Sequence, residues 1–154
     1  MEGFVITEEQ VTKTLLGLLT NSGWSIISYD FPQSGTGKLL RLNGNISEKN
    51  KDGIIPDIIT IKGTVCLFFE NKDKVDINDF KKTSSLIHDN MYTDDISNLL
   101  RNYKVEKIYY GIAFPSKKWN KRASANSYLV DFIMGVTNDK RLEYLYNPYD
   151  IIMF

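Results

Sequence analysis

Ile54-Ile-Pro-Asp-Ile-Ile-Thr-Ile-Lys-Gly-Thr-Val-Cys-Leu-Phe-Phe-Glu-Asn-Lys-Asp-Lys74 is the stretch on which the reading of this chain turns. Two runs rich in Ile, Val and Phe flank Lys62-Gly63, and a glycine there can take the positive φ that a tight hairpin turn demands. With Lys62 and Gly63 as the loop residues, Ile61 faces Thr64, Asp57 faces Phe68 and Ile55 faces Glu70. Opposed residues share a face and strand side chains alternate, so Asp57, Glu70 and Lys72 are expected on one side of the hairpin.

The surrounding runs are nearly continuous in apolar residues, which predicts strands buried on both faces. Two carboxylates in such a setting repel each other and raise each other's pKa unless a positive charge lies between them. A divalent cation meets that need. Asp57 and Glu70 offer the hard oxygen ligands that Mg²⁺ prefers, with water completing the shell. The Lys72 ammonium can orient an attacking water and stabilise charge on a phosphate.

Pro56-Asp57, twelve intervening residues and Glu70-Asn71-Lys72 resemble the signature of the PD-(D/E)XK nuclease superfamily. The resemblance implies an α/β restriction-endonuclease-like core of helix, three strands, helix and strand (αβββαβ), with a mixed central sheet flanked by helices. It also implies a Mg²⁺-dependent endodeoxyribonuclease in which Asp57 and Glu70 bind metal, the Asn71 carbonyl adds a ligand and Lys72 assists the attacking water. Many members carry a further acid on the first helix, and Glu8 occupies the matching place here. The small size suggests a restriction-type enzyme acting on DNA as a homodimer. Two other readings stay open: a non-catalytic nucleic-acid-binding or subunit-pairing module of the same fold, and a nuclease or resolvase for branched or single-stranded DNA or RNA. The plainer reading of the motif is an ion pair at a strand end.

The chain's 154 residues suit one domain, residues 1–154. Lys and Arg total 19 and Asp and Glu total 19, so a protein that coats nucleic acid through an overall basic excess is excluded. The lone cysteine, Cys66, falls inside the hairpin as a small core residue, and no disulfide framework exists. Neither a leader nor an 18-residue apolar run is present, which predicts a cytoplasmic protein with no membrane association.

Outward from the hairpin, Thr7-Glu8-Glu9-Gln10 fits a capping box, and Val11, Leu15, Leu18 and Leu19 repeat at helical spacing. Glu8 lies within that apolar stripe and is expected to point at the sheet; acids also favour a first turn merely for the macrodipole. Trp24 to Phe31 reads as a strand. Asn43-Gly44 suggests a small β-ribbon in the long connection that follows, where Lys38, Arg41, Lys49 and Lys51 form an arm suited to DNA phosphates. Ser34-Gly35-Thr36-Gly37-Lys38 lacks the spacing of a nucleotide-binding P-loop.

Beyond Lys72, Asp76 reads as a cap and Ile77, Phe80, Ser84 and Ile87 as a helix stripe, with Lys81 beside it as a DNA-binding residue and His88 left out of the site. Thr93 is expected to cap a short helix, Lys107 to Phe114 to form a strand and Tyr128 to Val136 another. Pro115 to Ser127 holds Lys117, Lys118, Trp119, Lys121 and Arg122, a basic segment suited to DNA with a ring available for stacking or for packing on the domain. The aromatic tail, Tyr144 to Phe154, predicts a packed strand or a dimer contact.

Overall fold

Six strands form one mixed sheet in sequence order, β1 (Ser25–Tyr29), β2 (Ile58–Lys62), β3 (Val65–Asn71), β4 (Lys107–Pro115), β5 (Phe132–Val136) and β6 (Leu142–Tyr146). The computed structural model describes residues 6–31, 36–43 and 53–154. Strands β1, β2 and β3 pair antiparallel, β3–β4 and β4–β5 are parallel, and β6 returns antiparallel along β5. Helices cover both faces, so the architecture is α/β with a mixed sheet between helical layers.

The alternation within β3 divides the core. Leu67 and Phe69 face α1 (Glu8–Asn21), where Val11, Leu15 and Leu19 are fully buried. Cys66 and Phe68 face the other side, which α2 (Ile77–His88) and α3 (Thr93–Leu100) cover with Phe80, Ile96 and Leu100. Both faces of the central strands are thus dry. Phe69 meets Phe132 edge-on at 5.0 Å between ring centroids, and a side chain at Gly111 would collide with that Phe132 ring at 2.3 Å. Truncating a fully buried phenylalanine of this kind costs about 3–5 kcal/mol.

The hairpin register differs from the expected one by two residues. Lys62 pairs with Val65 and Ile58 with Phe69, so Gly63 and Thr64 form the loop, with Gly63 at φ +61°. Thr64 is not among the positive-φ residues, which gives the type II′ pattern with glycine at the first loop position. Asp57, one step beyond the Ile58–Phe69 pair, therefore stands opposite Glu70 rather than Phe68. Ile55, expected opposite Glu70, lies before the strand and is 44 % exposed. The shift is even, so the shared face is kept.

Other boundaries moved for local reasons. The first strand stops at Tyr29 and carries a bulge between Ile26 and Ser28. Tyr92, not Thr93, precedes the third helix, because Thr93 Oγ1 is turned to the Asn90 carbonyl and to the Asn43 amide. Ser127–Leu129 winds into a 3-10 turn before β5 begins. Asn43, the expected ribbon corner, ties the arm to the α3 turn through Asn90, Thr93 and Asp94, and Leu40 bridges to Ile54; Gly44, Lys49 and Lys51 lie outside the described residues. The tail folds back: Ile151 and Met153 are buried, and the Trp24 indole donates to the Met153 carbonyl at 2.9 Å. No helix among the described residues is long and apolar enough to cross a membrane.

Candidate active site

The sheet gathers its polar residues at one end. The C-terminal ends of β3 and β4 run parallel, with Asn71 beside Ala113, and β2 begins next to where β3 stops. The first turns of α1 and α2 arrive at the same end, since Glu8 and Asp79 both reach Lys72. Thr7 secures α1 by a complete capping box with Gln10, and Asp76 caps α2 by accepting from the Asn78 N–H.

Lys72 is the centre of the cluster. Its Nζ lies 3.6 Å from Glu70 Oε1, 3.8 Å from Asp79 Oδ1 and 3.9 Å from Glu8 Oε1. These are ion pairs longer than a direct N–H···O bond, so the ammonium is enclosed without being locked to one partner. Burial alone would depress the Lys72 pKa, but Glu70, Asp79, Glu8 and Asp57 outweigh it and hold the pKa above the ordinary value. The residue therefore acts as a cation.

Asp57 is buried, and its Oδ2 accepts from the Asn71 N–H at 2.7 Å. Burial raises its pKa to about 8, with Glu70 adding repulsion and the Asn71 hydrogen bond working against both. Glu70 is pushed up chiefly by burial, and Lys72 counters this while Asp79 and Glu8 add to it. The Glu70 side chain keeps 35 % of its surface open, so solvent screens part of that effect and the Asp57 shift is the stronger.

Four carboxylates, on Glu8, Asp57, Glu70 and Asp79, thus share one ammonium. That imbalance fits a divalent cation between Asp57 and Glu70. No set of three or more His, Cys, Asp or Glu side chains among the described residues is disposed to hold an ion alone, so an ion at this place would need backbone and water to complete its shell, an arrangement Mg²⁺ accepts. The Asn71 carbonyl is suitably directed. The Lys72 N–H donates to Ala113 of β4 at 2.9 Å, and in a trans peptide the Asn71 carbonyl points the opposite way, toward β2 and Asp57.

The Asn71 side chain turns to the other face and is fully buried. It donates to Thr12 Oγ1 at 3.0 Å, and Thr12 donates to the Glu8 carbonyl at 3.2 Å. This polar chain fixes the first turn of α1 against β3 and sets the position of Glu8. Its neighbour Glu9 faces away and pairs with Lys13 at 3.8 Å.

The structure brings together Glu8, Asp57, Glu70, Asn71 and Lys72, and adds Asp79, which the motif does not include. Asp79 was missed in the sequence; it lies immediately before Phe80 and four residues before Thr83 on the margin of α2, and all three are buried. Lys81 is exposed, one position off that margin, and it is Lys82 that borders the cleft beside Glu70. The cleft measures about 560 Å³ and is walled by Ile54, Phe68, Leu86, Tyr92 and Tyr110.

The expected DNA contacts are scattered. Lys38 is exposed on the arm, whereas Arg41 is committed to Asp95, its N–H donating at 2.7 Å and its Nε at 3.3 Å to the same carboxylate oxygen. Lys117, Lys118, Lys121 and Arg122 are all exposed on the segment that follows β4, at the same end of the sheet as Lys72. Trp119 is half-buried and stacks on Phe114 at 6.3 Å, so its ring belongs to the domain. No protein-family model, curated protein or solved structure matches this chain.

Proposed function

We propose that the protein is a Mg²⁺-dependent DNA endonuclease of the PD-(D/E)XK kind, and that a homodimer of restriction type makes paired cuts. The observation that carries this reading is the opposition of Asp57 and Glu70 across the hairpin with the Lys72 ammonium 3.6 Å from Glu70. A divalent cation held there supplies charge neutralisation and Lewis acidity toward a phosphodiester.

The chain's own groups supply the rest. Asp57 and Glu70, deprotonated, would hold the cation, with the Asn71 carbonyl as a further ligand. Lys72, kept charged by its carboxylate neighbours, hydrogen-bonds the attacking water and stabilises the negative charge that develops on the phosphate oxygens. The exposed Lys117, Lys118, Lys121 and Arg122, on the segment that follows β4, would contact the phosphates of the DNA backbone.

The test is cleavage of plasmid, linear, junction and RNA substrates with and without Mg²⁺, comparing wild type with Asp57→Ala and Lys72→Ala after circular dichroism has checked folding. Cleavage by the wild type alone supports the reading. If all three proteins leave every substrate intact while still binding DNA equally, the fold serves as a binding module instead.

A further inference from the structure

Asp79 is the least exposed carboxylate around Lys72, with 7 % of its side chain open against 33 % for Glu8 and 35 % for Glu70. It occupies the third position of α2, where an acid commonly reaches back to the N-cap N–H. It does not make that bond: Oδ2 is buried with no hydrogen-bond partner among the described residues, and Oδ1 lies 3.8 Å from Lys72 Nζ. Helping the macrodipole calls for no burial, since an exposed acid in the first turn does as well. A buried, under-satisfied carboxylate aimed at a lysine therefore calls for another explanation.

That explanation comes from the other two partners of Lys72. Glu70 stands opposite Asp57 across the hairpin and Glu8 also lies within charge reach of Asp57, so an ion held between Asp57 and Glu70 would draw these carboxylates away from the Lys72 ammonium. Asp79 is the remaining carboxylate. Resting on the nuclease reading, we infer that Asp79 is a positioning residue that takes over the Lys72 ammonium when Glu70 turns to the metal, and so keeps it aimed at the attacking water. Lys82, also on α2, is exposed and borders the cleft, and its attraction on Asp79 is smaller than that of Lys72.

Asp79→Asn keeps the shape and removes the charge. In Mg²⁺-dependent cleavage its kcat is expected to fall about 10- to 100-fold, the range for groups that orient a reacting one, with KM unchanged. Asp79→Glu should restore part of the loss. In a Lys72→Met background the Asp79→Asn change should lower residual cleavage no further, because the two residues act as a unit. A loss that persists undiminished in that background overturns the inference.

A readout independent of cleavage is the Lys72 ammonium signal in ¹⁵N-lysine NMR with Mg²⁺ present, assigned by Lys72→Arg. The signal is expected in wild type, Asp79→Glu and Glu8→Gln, and should vanish by fast exchange in Asp79→Asn. Its survival in Asp79→Asn overturns the inference. If it vanishes there while the wild type cleaves nothing, the Asp79–Lys72 tether stands and the nuclease reading falls.

Discussion

The acidic cluster around Lys72 and the basic segment from Lys117 to Arg122 sit at the same end of the sheet and are built in opposite ways. In the first, four carboxylates from two helices and a hairpin converge on one ammonium, and burial pushes up the pKa of Asp57 and Glu70. In the second, four cations stand on a 3-10 turn and a short helix, all of them exposed to water. The chain's balanced formal charge hides this division. Charge that is expensive to bury calls for a specific role, whereas charge left in water suits attraction to and contact with a polyanion.

The sharpest way to break the comparison is to remove the buried charges. Asp57→Ala or Lys72→Ala is expected to lower Mg²⁺-dependent cleavage by about 10²–10³-fold or more, the scale for losing a group that stabilises a transition state. Single-turnover kinetics measures it. DNA affinity should hardly move. The exposed region should behave in the converse way: changing Lys117, Lys118, Lys121 and Arg122 together to Gln should weaken DNA binding at low salt and leave single-turnover cleavage at saturation unchanged. The slope of log affinity against log salt should shrink by about 0.9 for each phosphate that is no longer neutralised.

A smaller effect separates the regions by pH. Asp57 in the folded chain titrates near 8, against an ordinary value of 3.8. The folded state thus holds a proton that the unfolded state releases, so the metal-free protein is most stable below pH 4 as far as this group is concerned, and that contribution is lost as pH rises through about 8. Thermal melts in EDTA should show Tm falling by a few degrees toward pH 8.5, since about 1 kcal/mol moves Tm by about 2–4 °C at this length. Asp57→Asn should flatten the slope, and the Gln variant of the basic segment should not. Smallest of all, Trp119→Ala should lower Tm through the absence of its stacking on Phe114, about 0.5–1.5 kcal/mol beyond the area it buries, without changing affinity for single-stranded DNA.

The strands, their order along the chain and the shared face of Asp57, Glu70 and Lys72 were legible because period-2 alternation and a glycine turn are local signals. The register was not, because Lys62-Gly63 and Gly63-Thr64 both offer a glycine turn, and only the pairing of Lys62 with Val65 chooses between them. Glu8 could be read from the helix stripe of α1. Asp79 was hidden by its place in a first helical turn, where acids are ordinary, and its burial depends on how α2 meets β4 across the sheet. Arg41 looked free to meet DNA because Asp95, fifty-four residues away, leaves no trace of its partnership in the sequence.

The claim that most needs testing is that Asp57 and Glu70 together hold a divalent cation. Calorimetric titration of the wild type with Mg²⁺ or Mn²⁺ near pH 7, repeated in buffers of different ionisation enthalpy, addresses it directly. Saturable binding with release of protons is expected, because both carboxyls titrate near neutrality and must be deprotonated to ligate. Asp57→Asn and Glu70→Gln should abolish it. Equal binding by wild type and both variants, or none by the wild type, would contradict the account.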